Sequence, residues 1–292
     1  MSYEITSTTK YSFIIEIIII IFSVVGIIGN SLTFYILTKP KFLKKSIYRY
    51  FLASDIVSLL TLVGLWVRII TYFLEWNVSI ILCKLYNMFL YSFYDFYAWV
   101  NVLNSIDRFI TLKYQNKFRF TQKFKYQVLV LGLLFLIMVL SNVPRVIIVE
   151  KANFTICGIN DSQIGFYVTL ENMLLSIVVP FFIMLTSTIL TVCHLLTQKQ
   201  KLKQNTKNYR REKSFIKSVF TMDLWFLLCY SPTCITNFLL FAIDYNEELV
   251  NVFNYATIAS TMEFTCSFFV YLFCNKLFRQ YFFSMICKKL KS

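Results

Sequence analysis

The chain has 292 residues, 58% hydrophobic and 18% aromatic, with 15% charged and a formal net charge of +14. One soluble core of this size cannot hide that much apolar surface, which excludes an ordinary water-soluble domain and leaves a protein solvated by lipid. One His, and no H-E-x-x-H, Gly-rich phosphate loop or nucleophile elbow, leave catalysis without a candidate.

Crossing hydrocarbon takes about 20 helical residues, and lipid offers no partner for exposed backbone, so long apolar runs predict membrane helices. Seven occur, at roughly 11–38, 47–72, 80–106, 126–149, 164–197, 215–243 and 249–274. The connectors are short, with no repeat or low-complexity tract, so the prediction is a single seven-helix bundle over 1–292. Residues 1–10 are predicted as an extracellular tail and 275–292 as a cytoplasmic helix and tail. The first run is too long for a cleavable signal and reads as an uncleaved anchor.

With the N-terminus outside, 24 Lys and Arg fall on the inner side and five on the outer. Excess Lys and Arg mark cytoplasmic loops, so the basic balance points to anionic lipid and an acidic partner, not nucleic acid. Three N-x-[ST] acceptors, at Asn77, Asn153 and Asn160, all fall in predicted outer loops, a second indication of the same orientation. Of eight Cys, only Cys83, at the start of the third run, and Cys157, in the second outer loop, lie outside. A disulfide between them would persist there and tie the loop over the bundle mouth; the alternative is two free thiols. Cys287, in a basic amphipathic tail, is a candidate for palmitoylation or a plain buried thiol.

From Cys83 to Arg108 is 25 residues, about 37 Å of helix, enough to cross the core. Asp107 and Arg108 therefore stand at the inner mouth of the third helix. Arg108 alone reads as an interfacial anchor paired with Asp107. Glu212, at the inner start of the sixth run, suggests a latch in which acids on two helices hold one Arg.

These residues also carry a resemblance. Gly29-Asn30 in the first run, Leu52-Ala-Ser-Asp55 in the second, Trp76 before Cys83, and Asp107-Arg108-Phe109 after it follow one another in order. So do Pro144, Pro180, Cys229-Tyr230-Ser231-Pro232, Ser267-Phe-Phe-Val-Tyr271 and Phe278. The order and spacing resemble a rhodopsin-like (class A) G-protein-coupled receptor, of the neuropeptide-receptor kind, over nearly the whole chain. The resemblance implies an all-α seven-transmembrane bundle with a short eighth helix, at the plasma membrane. It implies an extracellular ligand, a heterotrimeric G protein as partner, and an activation switch at Asp107, Arg108, Glu212, Tyr230, Pro232 and Tyr271. Departures are Phe109 for Tyr, Tyr230 for Trp, Thr188 for the fifth-span Tyr, and a seventh span without Asn or its bending Pro.

Ionisable groups inside a bundle are costly and default to functional candidates. Asp55 and Glu263 both fall near mid-membrane. In the family this region holds a sodium ion, the only non-protein group implied here, with Tyr97 and Ser267 mapping to the same pocket. Two carboxylates repel, so the expectation is a shared proton or a cation between Asp55 and Glu263, against two unrelated polar groups bonded elsewhere. Ligand-pocket candidates are Leu90, Tyr91, Tyr94, Asp95, Thr233, Asn237 and Thr257. Leu90 occupies the place of the amine-binding Asp, which disfavours a biogenic amine. Asp95 either faces the pocket or satisfies a neighbouring helix. The acidic third outer loop, with Asp244, Glu247 and Glu248, leans the reading to a peptide ligand. A lipid or chemosensory ligand is the alternative within the family, and a transporter or channel the alternative outside it. Against the latter stand the lack of inverted repeats and of broken mid-membrane helices. Asp223 and Glu171 receive no assignment.

Overall fold

The computed structural model describes residues 2–74, 79–114, 122–148, 150–151, 157–158, 162–201, 206–243 and 247–289. Among the described residues the first five helices are α1 (Ser2–Leu37), α2 (Pro40–Leu43), α3 (Ser46–Phe73), α4 (Ile80–Lys113) and α5 (Phe124–Ser141). A short α6 (Val143–Ile148) leads to a two-stranded hairpin of β1 (Glu150–Lys151) and β2 (Cys157–Gly158). Then come α7 (Ser162–Met173), a π-helical turn (Leu174–Val178), α8 (Val179–Lys201), α9 (Thr206–Ala242), α10 (Glu247–Cys274) and α11 (Lys276–Lys289). The hairpin pairs antiparallel, Glu150 with Gly158 and Lys151 with Cys157, and both strands lie against α4.

Six stretches are long and apolar enough to span a membrane, within α1, α3, α5–α6, α7–α8, α9 and α10. The seventh is α4, at 34 residues about 51 Å long, and too polar to pass on composition alone. It packs against α3, α5, α6, α8 and α9. Its Ser92, Asp95, Asn101, Asn104, Ser105, Asp107 and Arg108 are all buried, so its polar groups meet protein and not lipid. Ser79 caps its start, Oγ accepting from Leu82 N at 3.3 Å.

Local sequence explains the irregular places. The predicted extracellular tail at residues 2–10 is helical and continuous with α1. The fourth span breaks at Asn142, between α5 and α6, where Pro144 suits an early helical position. In the fifth span Pro180 cannot donate to Ser176 O, and the ladder upstream shifts to a π pattern, Val179 N bonding Leu174 O. The expectation of unbroken spans is thus corrected at these two places. Pro232 lies within α9, whereas α10 is one helix without Pro. Along α10, Thr257, Thr261 and Thr265 each donate to the carbonyl four residues back, a local competition with the helix ladder.

Close packing of α1 on α10 depends on two glycines. A Cβ on Gly26 would sit 2.8 Å from Leu62 Cδ1 and 3.1 Å from Thr265 Cα, and one on Gly29 3.1 Å from Phe268 Cβ. Beside them Asn30 Nδ2 donates to Phe264 O at 2.8 Å. The central core joins Tyr97, Phe226, Tyr230 and Phe264; a second cluster at the other end joins Phe42, Tyr48, Phe51, Tyr271 and Phe278. The second cluster seats α11. Asn275 Oδ1 accepts from Phe278 N at 3.1 Å and from Tyr48 OH at 3.2 Å, which caps α11 and ties it to α3.

Candidate functional site

Two polar layers run through α4, one at its C-terminal end and one at mid-depth. At the end, Arg108 Nη2 donates to Asp107 Oδ2 at 2.6 Å, and Ser46 Oγ donates to the same oxygen at 2.7 Å. Gln127 of α5 in turn donates to Ser46. The expected pairing of Arg108 with Asp107 forms, and both residues are buried, at 6% and 5% exposed. One carboxylate thus joins the starts of α3 and α5 to α4. Arg108 Nε has no acceptor among the described residues. Glu212 falls in the backbone of α9, and its side chain lies outside the described residues.

Facing Arg108 is a small cleft lined by Ser105, Thr188, Thr191, Ile216 and Val219. Asp223 of α9 stands over it and accepts from Ser105 Oγ at 3.1 Å and Thr188 Oγ1 at 3.2 Å. Sequence reasoning left Asp223 unassigned. The available signal was an acid inside an apolar run, aligned with Thr188 where an aromatic hydroxyl was expected. Three helices, α4, α8 and α9, therefore meet at one carboxylate.

At mid-depth, Asp55 is fully buried and both its carboxylate oxygens lack a hydrogen-bond partner among the described residues. Tyr97 OH donates to Glu263 Oε1 at 2.8 Å, while Glu263 Oε2 has no partner among the described residues. Tyr271, whose hydroxyl is also unpartnered, lies within electrostatic reach of both acids. Ser267 points elsewhere: its Oγ donates to Asn30 Oδ1 at 2.6 Å. Oxygen donors without protons facing them are what a hard cation or a shared proton requires. Among the described residues no group of three metal-ligating side chains forms, so a divalent site has no support.

Of the ligand-pocket candidates, Tyr94 stacks against Tyr230 at 5.6 Å and Phe264 at 5.3 Å. Tyr91 contacts Tyr94 and lies under the Arg145 guanidinium, 3.8 Å from ring centroid to cation. Leu90 approaches Gly64. Thr233 Oγ1 donates across to Ala256 O at 2.6 Å, joining α9 to α10, while Thr257 bonds back into its own helix. Asn237 is half-buried on α9. Asp95 is turned toward the fourth and fifth spans, accepting from Asn142 Nδ2 at 2.7 Å and from Ser176 Oγ.

Pro232 lies two residues past Tyr230, which is buried against Phe226 at 5.4 Å. Tyr271 is buried against Phe51 at 4.7 Å. Cys83 is buried and disulfide-bonded; Cys157 falls in β2, whose side chains lie outside the described residues. Cys287 is a free, exposed thiol. Trp76, Asn77, Asn153, Asn160 and Asp244 all lie outside the described residues.

A bundle with a buried Asp-Arg pair closing one end of its central helix is what the comparisons bear on. The family model "7 transmembrane receptor (rhodopsin family)" matches residues 29–275. The type-1 angiotensin II receptors of Meleagris gallopavo and Gallus gallus are each 26% identical to this chain, over 95% of its length and 82% of theirs. The matched region takes in every span from Gly29 of α1 to Asn275 before α11, and with it both polar layers, so the chain is a multi-pass membrane receptor, not an enzyme, and belongs to the rhodopsin family of seven-transmembrane receptors.

Proposed function

We propose that this receptor stands in the plasma membrane with its N-terminus outside and relays an extracellular peptide to a heterotrimeric G protein. The observation that carries the reading is the layer at Arg108. A buried guanidinium held by Asp107, with Asp223 tying α9 to α4 and α8 directly above it, is a restraint that outward movement of α9 would release. Ligand bound with higher affinity to the open arrangement shifts the population toward it. Pro232, within α9, is the natural point of bending because it removes a backbone hydrogen bond. The basic loops at 113–125 and 199–217 then meet the G protein.

The peptide reading is supported by the relatives, named as angiotensin II receptors, and by Leu90 in the place of an amine-binding acid. The orientation is supported by the 24-to-five division of Lys and Arg. A Cys83–Cys157 disulfide, glycans at Asn77, Asn153 and Asn160, and a palmitoyl group on the exposed Cys287 belong to the same reading. So does a sodium ion or shared proton between Asp55 and Glu263, supported by three carboxylate oxygens without partners among the described residues.

The test is nucleotide exchange on purified G protein by the receptor in lipid discs, challenged with peptide pools. Peptide-dependent exchange supports the reading. Solute or ion flux through receptor liposomes, without exchange, would refute it.

A further inference from the structure

Arg49 on α3 is a second buried guanidinium at the Asp107 end of the bundle. It is 8% exposed and follows Ser46 by three residues, so the two side chains stand one above the other on one helix face. Ser46 donates to Asp107, which turns that face toward the carboxylate. Asp107 acts on Arg49 electrostatically, yet the hydrogen-bonded pair goes to Arg108. Arg49 Nη2 donates instead to the carbonyl oxygen of Gln122, the residue before the N-cap of α5. Its Nε is buried and has no acceptor among the described residues. Phe124 lies beside it, 5.9 Å from ring centroid to guanidinium carbon.

Two cations thus lie in the field of one acid. The segment that Arg49 holds supplies no other: from Lys113 to Lys125 there is no Asp or Glu, and five residues are Lys or Arg. Removing one partner of a buried ion pair is costly because it strands the other charge. If Arg108 leaves Asp107, the carboxylate keeps only the Ser46 hydroxyl among its bonds to described residues. Arg49 is then a desolvated guanidinium with a free Nε, one turn along the same helix. A bond from a guanidinium to a carboxylate is stronger than one to a neutral carbonyl, so the exchange favours Asp107 over Gln122. Giving up Gln122 frees the last residue of the loop between α4 and α5. The remaining side-chain bond of Gln122, Nε2 to Thr111 Oγ1, is long at 3.5 Å and holds it weakly.

We propose that Arg49 is a positioning residue that exchanges partners: it clamps Gln122 while Arg108 holds Asp107, and moves to Asp107 when Arg108 leaves, unclamping the end of the loop between α4 and α5. This rests on the functional reading that Arg108 leaves Asp107, and adds which loop feels the departure.

The experiment uses the purified full-length receptor with neither ligand nor G protein, so its outcome is separate from that of the nucleotide-exchange test. Arg108→Gln imitates the departure of Arg108. Amide hydrogen exchange over residues 114–126 should then run several-fold faster than in wild type. Arg108→Gln combined with Asp107→Asn, which leaves Arg49 no charge to follow, should restore the wild-type rate. Melting temperatures supply a second arm. Arg49→Gln should lower the midpoint by about 2 °C in wild type. In Arg108→Gln, where it strands Asp107, the loss should be about three times as large. Adding Asp107→Asn should bring it back to about 2 °C. A residue that only anchors the loop would give the same loss in every background. The exchange arm stands even if the variant lacking both arginines fails to fold. The proposal is overturned by a wild-type exchange rate in Arg108→Gln, by exchange that Asp107→Asn leaves fast, or by equal melting losses from Arg49→Gln in wild type and in Arg108→Gln.

Discussion

Ser105 Oγ on α4 donates to Asp223 Oδ2 on α9 at 3.1 Å, one turn of helix from Arg108. Thr188 on α8 donates to the same oxygen, so the carboxylate holds α9 to two helices. Intramolecular hydrogen bonds contribute about 0.5–1.5 kcal/mol each net, so the two together are worth about 1–3 kcal/mol, and 1.4 kcal/mol is a tenfold change in a population. Replacing Asp223 with Leu should therefore enlarge the open population by about tenfold. Spin labels on the C-terminal end of α4 and the N-terminal end of α9 would read this as a longer-distance component without added ligand. Ser105→Ala with Thr188→Val should give the same component, and Asp223→Asn, which keeps an acceptor, a smaller one.

Asp55 and Glu263 both retain carboxylate oxygens without hydrogen-bond partners among the described residues, and the proposed cation or shared proton would lie between them. Sodium chloride should raise the melting temperature of the purified receptor above that in choline chloride. Asp55→Asn should abolish the difference. Glu263→Gln, which can still accept from Tyr97, should reduce it. Sodium dependence equal to wild type in Glu263→Gln would separate the two acids.

Gly26 is closed in by Leu62 and by the backbone of Thr265. The Leu62 methyl can rotate away, but the α10 backbone must move. Gly26→Ala should destabilise the bundle by about 1–3 kcal/mol, read as a lower melting temperature with Asp223-dependent behaviour intact.

Much of the fold was legible because bilayer physics is coarse. Lipid requires long apolar helices, and six of the seven spans satisfy that on composition alone. The central helix α4 was also counted among the apolar runs, yet its polar residues, which face protein and not lipid, keep it outside that criterion. Irregularities were less legible. Pro180 announced a distortion, but the π turn at Leu174–Val178 depends on how the upstream ladder re-registers. At the site, Asp107 with Arg108 could be read from adjacency, and Tyr97 with Glu263 from the family resemblance. Ser46 and Gln127 on Asp107, or Thr188 and Ser105 on Asp223, could not. Hydroxyl and amide partners on other helices leave no periodic trace in sequence. Ser267, grouped with Asp55 by motif, bonds Asn30 because it faces α1.

Cys83 and Cys157 are 74 residues apart. If they form one bridge, Cys157→Ser should lower stability by about 2–4 kcal/mol, and dithiothreitol should have that effect on wild type only. A Cys83-containing bridge surviving in Cys157→Ser, seen by peptide mapping, would point to another partner.

The central claim is that Arg108 is held at the inner mouth of α4 until α9 moves. Nucleotide exchange on purified G protein, by receptor in lipid discs without ligand, tests it most directly. Asp223→Leu should exceed wild type several-fold, and adding Arg108→Ala to that variant should return exchange to the receptor-free rate. Equal exchange by folded wild type and Asp223→Leu, or unaltered exchange after loss of Arg108, would contradict the account.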